Sequence, residues 1–186
     1  IQTRQPTPRF WGSAGRALAQ LHQTEVGAQY GWGSHNFIGP SKQLNEWSTD
    51  WSYFWRTFRL EPQRNWARER GLLDPELEAR LDSLLYQMDD WISEERPCLL
   101  HGDLWSGNIL CAHDEAPVLI DPAVYLGHRE ADLAMTTLFG GFPPSFYAAY
   151  QEIWPLEPGW ETRLQFYGLY HWLNHLNAFG PSYRSS

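Results

Sequence analysis

His101-Gly102-Asp103-Leu104-Trp105-Ser106-Gly107-Asn108 is the stretch on which the reading of this chain turns. It is bounded by two short apolar runs, Cys98-Leu99-Leu100 before it and Ile109-Leu110-Cys111 after it. A third run, Val118-Leu119-Ile120, ends on Asp121. Apolar runs this short, set between turn residues, read as small strands. If the second and third pair as a hairpin, Asn108 and Asp121 come together, and Asp103 lies one loop away.

That grouping suits phosphoryl transfer. An amide oxygen and a carboxylate suit Mg²⁺, a hard ion that completes its shell with phosphate oxygens and water. Asp103 is placed to accept the proton of an attacking hydroxyl. Phosphoryl transfer asks a protein for alignment, charge neutralisation and a base more than for covalent chemistry. An H-x-D triplet, Asn five residues after its Asp, and an apolar run ending in Asp thirteen residues after that Asn match the kinase pattern of catalytic and metal loops.

Outward from the loop the pattern becomes helical. Ala14, Leu18, Leu21 and His22 recur at helical spacing. Residues 26–44 hold scattered Gly and Pro and read as a loop. Asn45 is a candidate cap for a helix through Trp47, Trp51, Phe54, Trp55 and Phe58, of which the last four read as a core stripe. Asp74-Pro75-Glu76 opens another helix, with Leu77, Leu81, Leu84, Leu85, Met88 and Trp91 as its buried stripe. After Asp121 a helix begins near Glu130, Pro143-Pro144 ends it, and helices follow over about 145–154 and 160–178. The expected fold is mainly α with small β-hairpins (α+β). Residues 1–9 read as a connector, 10–182 as a single lobe, 101–108 as its catalytic loop and 121–128 as its metal loop.

The composition narrows the partners. The 186 residues carry a net charge of −8 and no basic run, which argues against nucleic acid and an anionic membrane surface. No stretch reaches the ~20 apolar residues of a membrane span. Cys98 and Cys111, both in apolar runs, read as buried free thiols and point to a reducing, cytoplasmic setting. Eleven Trp, nine Tyr and nine Phe exceed what a core of this size asks for, so some of them are candidates for pocket walls.

The segment 99–110, continued by Leu119-Ile120-Asp121-Pro122-Ala123, resembles the fructosamine kinase (ketosamine-3-kinase) family, within the aminoglycoside-phosphotransferase and protein-kinase-like superfamily. The superfamily shares H-G-D-x-x-x-x-N; Trp105 and the Asp-Pro-Ala triplet narrow the match. Residues 127–135 (Gly-His-Arg-Glu-Ala-Asp-Leu-Ala-Met) resemble the helix after that family's metal loop. Asn36-Phe37-Ile38-Gly39 with Gln43, Asn45, Trp47 and Trp51 resembles its signature ahead of the catalytic loop. The resemblance implies a protein-kinase-like carboxy-terminal lobe. It also implies ATP and Mg²⁺ as cofactors, and phosphorylation of the 3-hydroxyl of a sugar joined to an amine by an Amadori linkage, on a small molecule or on a protein lysine, which promotes deglycation. Asp103 matches the general base; Asn108 and Asp121 match the Mg²⁺ ligands. Such kinases grip the phosphates with a lysine and a glutamate of an amino-terminal lobe. Lys42 is the only lysine in the sequence and stands between Gly39-Pro40 and Gln43. An absent amino-terminal lobe, and an isolated chain with little or no activity, are therefore expected.

Other residues carry two readings each. His101 is a brace for the loop or, in a His-x-Asp hydrolase, a metal ligand. Trp105 is a substrate contact or packing. His35 and Asn36 are acceptor contacts or loop hydrogen bonders, and Trp172 and His175 acceptor contacts or structural. Asp132 reads as support for the catalytic loop, with Arg129 and Glu130 solvated or capping. Beside the ketosamine reading stand a kinase for another small molecule (aminoglycoside, choline or homoserine) and a non-catalytic kinase-like binding module.

Overall fold

The structure, a computed structural model, describes residues 2–181. Helix α1 (Pro8–Gln23) starts where Thr7 caps it by accepting the N–H of Phe10, with Pro at the first position. The connector is thus shorter than 1–9. It is also anchored: Thr3 bridges Ala112, and the Arg4 N–H donates to the Cys111 carbonyl at 3.0 Å. The lobe boundary expected at residue 182 lies outside the described residues.

Residues 36–43 are a hairpin rather than loop. Strands β1 (Asn36–Ile38) and β2 (Ser41–Gln43) pair antiparallel, and Gly39 (φ 52°) makes the turn. Lys42 accordingly lies in a strand. The helix that follows begins at Asp50, whose carboxylate accepts the Tyr53 N–H, and not at Asn45. Asn45 is buried, its amide taken by longer-range partners. Helix α2 (Trp51–Trp55) widens into a π-helical turn over Arg56–Leu60 before α3 (Glu61–Glu69). Trp51, Phe54 and Trp55 are core. Helix α4 (Pro75–Tyr86) starts on the Asp74 cap, but Trp91 lies past its end and is exposed.

The central strands are four, not three. Strand β3 (Cys98–Leu100) pairs antiparallel with β6 (Tyr125–Gly127), and β4 (Ile109–Cys111) with β5 (Pro117–Leu119). Cys98 and Cys111 are free and buried. Helices α5 (Arg129–Thr137), α6 (Pro144–Ile153) and α7 (Trp160–Phe179) complete the fold. Helices α1 and α6 touch backbone to backbone at Gly15, where a methyl group would collide with the Phe146 carbonyl. Arg129 and Glu130 are buried rather than solvated, because each meets a partner distant in sequence: Glu95 at 2.6 Å and Arg163 at 2.6 Å. No helix among the described residues is long and apolar enough to cross a membrane.

Helix α7 carries His171 into the core at 2% exposure, where its Nδ1 has no hydrogen-bond partner among the described residues. Burial, with His175 nearby, pushes the imidazole down to about 3. A depressed histidine stabilises the fold fully above its unfolded value of ~6.5, and that contribution is lost as pH falls toward 3. At pH 5 the loss is about 2 kcal/mol. His171→Phe should therefore flatten the fall in stability between pH 7 and 5 by about that amount in denaturant titrations; an unchanged slope would contradict it.

Candidate active site

The 101–108 loop is held from below by Asp132, in the first turn of α5 and 1% exposed. Its Oδ2 accepts the His101 N–H and its Oδ1 the Gly102 N–H, both at 2.7 Å. His22 of α1 lies 3.2 Å from Oδ2, and its other ring nitrogen 2.8 Å from the Tyr150 hydroxyl. Burial alone raises the Asp132 carboxyl, but the hydrogen bond and charge of His22, with His101 and the Gly102 N–H, bring it below the usual range.

His101 ties this loop to the next. Its Nε2 lies 2.9 Å from the Ile120 carbonyl, and its Nδ1 accepts the Asp103 N–H at 3.3 Å. A carbonyl can only accept, so Nε2 carries the proton. Both ring nitrogens are engaged, which favours the brace over the metal ligand. The His101 carbonyl in turn accepts the Ala123 N–H at 2.8 Å.

Asp103 and Asn108 are joined directly, and the backbone brings the start of the 121–128 segment up to Asn108. The Asn108 Nδ2 donates to the Asp103 carbonyl at 2.8 Å and to its carboxylate Oδ2 at 3.2 Å. With its nitrogen so engaged, the amide oxygen of Asn108 is the atom able to meet a cation. Across the hairpin the Ile120 N–H donates to the Asn108 carbonyl at 3.1 Å, and Asp121 is the next residue along that strand. Asp121 is exposed and has φ 51°, a left-handed backbone uncommon outside glycine. Burial raises the Asp103 carboxyl, while His101, His175 and the Asn108 hydrogen bond pull the other way. An amide oxygen beside one exposed carboxylate fits Mg²⁺ shared with phosphate oxygens. Among the described residues no three His, Cys, Asp or Glu side chains converge as a closed metal site would need.

Next to Asp103 stands an aromatic wall. Phe139, just after α5, lies 6.3 Å from Trp105, 5.3 Å from Trp172 and 4.4 Å from His175, ring centre to ring centre. Three of the residues singled out in the sequence thus gather around one that was not. Phe139 has φ 52°, followed by Gly140 and Gly141, also left-handed. The glycine pair after a helical run was the available signal. His35 and Asn36 are placed elsewhere. The exposed His35 accepts the Asn45 N–H at 3.0 Å, and the Asn36 amide donates to the Val124 carbonyl at 2.7 Å. Asn36 therefore faces the backbone of the 121–128 segment. Gln43, which binds the same stretch, was missed as a site residue.

The family model for fructosamine kinase matches residues 1–186. The chain belongs to the fructosamine kinase family. It is 44% identical over 174 residues to a Synechocystis protein named "Probable ketoamine kinase", covering 94% of this chain. It is 42% identical over 183 residues to the chloroplastic protein-ribulosamine 3-kinase of Arabidopsis thaliana, covering 92% of this chain. It spans 58% of the first relative's length and 53% of the second's. A solved structure of a Thermobifida fusca protein described as a "putative fructosamine-3-kinase" superposes with TM-score 0.94 at 36% identity, covering all of this chain and 64% of that one. A spectinomycin phosphotransferase superposes with TM-score 0.58 at 16% identity, over 98% of this chain and 61% of that one, which shows a shared kinase-like fold.

Proposed function

We propose that this chain is the catalytic, carboxy-terminal lobe of an ATP-dependent kinase that phosphorylates the 3-hydroxyl of ketosamines, and so promotes deglycation of small amines or protein lysines. The observation that carries the reading is the Asn108 amide bonded to the Asp103 carboxylate, with Asp121 beside it. Family membership and relatives named for ketoamine and ribulosamine phosphorylation support the choice of acceptor. The two buried free thiols favour a cytoplasmic setting.

Asn108 and Asp121 would hold Mg²⁺, which when bound neutralises charge on the phosphates. Asn108 also aims the Asp103 carboxylate. As the sugar oxygen bonds to the terminal phosphorus and the bond to ADP breaks, Asp103 takes the hydroxyl proton. The wall of Trp105, Phe139, Trp172 and His175 offers aromatic faces to the sugar and to a cationic amine. The lysine–glutamate grip on the phosphates is the part that Lys42, exposed on the 36–43 hairpin, does not supply.

The test is ATP plus a glucose-derived fructosamine with the full-length protein, followed by phosphorus NMR. The expected product carries phosphate on the sugar 3-oxygen. Phosphate on another oxygen, or faster turnover of an aminoglycoside, choline or homoserine, would overturn the acceptor assignment. No phosphate transfer to any of them would favour a binding module.

A further inference from the structure

Gln43 ends strand β2 and is 1% exposed, yet no part of it faces the cleft as a free group. Its Nε2 donates to the Ala123 carbonyl and to Asn36 Oδ1, both at 2.9 Å, and its Oε1 accepts the Tyr170 hydroxyl at 3.0 Å. Asn36 continues the chain of amides. Its Oδ1 also accepts from Asn45 at 2.9 Å, which leaves its Nδ2 to hold the Val124 carbonyl at 2.7 Å. Asn45 is fixed in turn by Arg59, whose guanidinium donates to Asn45 Oδ1 at 2.8 Å. Arg59 is fully buried, 4.0 Å from the centre of the Tyr125 ring and 4.7 Å from that of Phe54. The π-helical turn at 56–60 brings it there, and such turns recur at functional sites.

The two carbonyls that this ladder grips belong to the residues just after Asp121-Pro122. The Ala123 peptide is already a crossing point. Its N–H is bonded to the catalytic loop at His101, and its carbonyl lies so close to Gly102 (φ 82°) that any side chain at 102 would collide with it. Asp121 itself is held left-handed. A non-glycine residue keeps that conformation only where its surroundings over-determine it.

We propose that Gln43 is a positioning residue for the metal loop. By holding the Ala123 carbonyl, with Asn36 holding that of Val124, it keeps the backbone that presents Asp121 in the conformation able to share a divalent cation with Asn108. This rests on the reading of Asn108 and Asp121 as the Mg²⁺ pair. The amide ladder acts on the metal and not on the acceptor sugar.

The experiment compares Gln43→Met, which keeps the length and drops the donor, with Leu81→Ala, a core truncation in α4. The comparison is made in the full-length protein, at temperatures equally far below each variant's melting point. In Gln43→Met, amide exchange over residues 119–126 should rise about tenfold above that in Leu81→Ala. Binding of Mn²⁺ with ATP, read by electron paramagnetic resonance, should weaken about tenfold, as loss of a support behind a metal ligand does. The KM for the ketosamine should move less than about twofold. Gln43→Glu, closest in shape, should weaken Mn²⁺ binding further, since it turns an acceptor toward two acceptors. Exchange and Mn²⁺ affinity equal to those of Leu81→Ala, or Glu tolerated better than Met, would overturn the proposal. A wild-type protein that binds Mn²⁺–ATP but leaves ketosamines untouched would sink the acceptor reading and leave Gln43's role standing. One that binds no Mn²⁺–ATP would sink both.

Discussion

Asp103→Asn in the full-length protein should cut turnover by about 10²–10⁴ while leaving ATP affinity nearly unchanged. The substitution keeps size and hydrogen-bonding reach, so the loop from His101 to Asn108 has no steric reason to move. What it removes is the carboxylate bonded to Asn108. The Asn108 amide nitrogen still finds the backbone carbonyl of residue 103 at 2.8 Å, so its amide oxygen, proposed as a metal ligand, keeps its place. The loss should therefore fall on kcat, with the Mg²⁺ requirement preserved. Turnover within a few-fold of wild type would mean that the acceptor hydroxyl loses its proton elsewhere. A large loss of ATP affinity would mean that Asp103 belongs to the metal shell rather than to the base.

Asp132→Ala should be the most destabilising single change in the site. It leaves the His101 and Gly102 N–H groups unpaired in the interior and strips His22 of its acceptor. Breaking one side of a buried charged network costs about 3–5 kcal/mol. For a chain this long, about 2–4 °C of melting temperature is lost per kcal/mol, so a fall of about 10 °C is expected by calorimetry. Asp132→Asn should recover only part of this, because its amide offers one acceptor where two N–H donors converge. A fall of only one or two degrees would show that water or a shifted backbone satisfies those groups.

The contrast between these residues and the rest of the chain explains what the sequence could and could not reveal. The β4–β5 hairpin that brings Ile120 up to Asn108 was legible because it is local, its strands six residues apart. Strand β6 was not legible. Its partner β3 lies more than twenty residues earlier, and three residues ending in glycine carry no period of their own. The 36–43 hairpin was hidden because Gly39-Pro40 reads equally as turn or loop. Asn45 and Asp50 are both good caps by residue type. The choice between them is made by Arg59, which draws Asn45 inward and leaves the cap to Asp50. Arg129 and Glu130 read as solvated because Glu95 and Arg163, which make their burial affordable, are not neighbours in the chain. Phe139 escaped notice for a similar reason: the side chains it gathers come from the catalytic loop and from α7.

The aromatic wall and the amide ladder are built from different segments. Trp105, Phe139, Trp172 and His175 come from the catalytic loop, the turn after α5 and α7. Asn36 and Gln43 come from the 36–43 hairpin, Asn45 from the segment after it, and Arg59 from the π-helical turn beyond α2. The two meet at α7, which carries Trp172 and His175 of the wall and also Tyr170, whose hydroxyl donates to Gln43. On the proposed reading, a library that varies Phe139 and Trp172 should change amine preference first, whereas changes at Trp105 or His175 also reach Asp103, so the outer half of the wall is the place for divergence or redesign to begin.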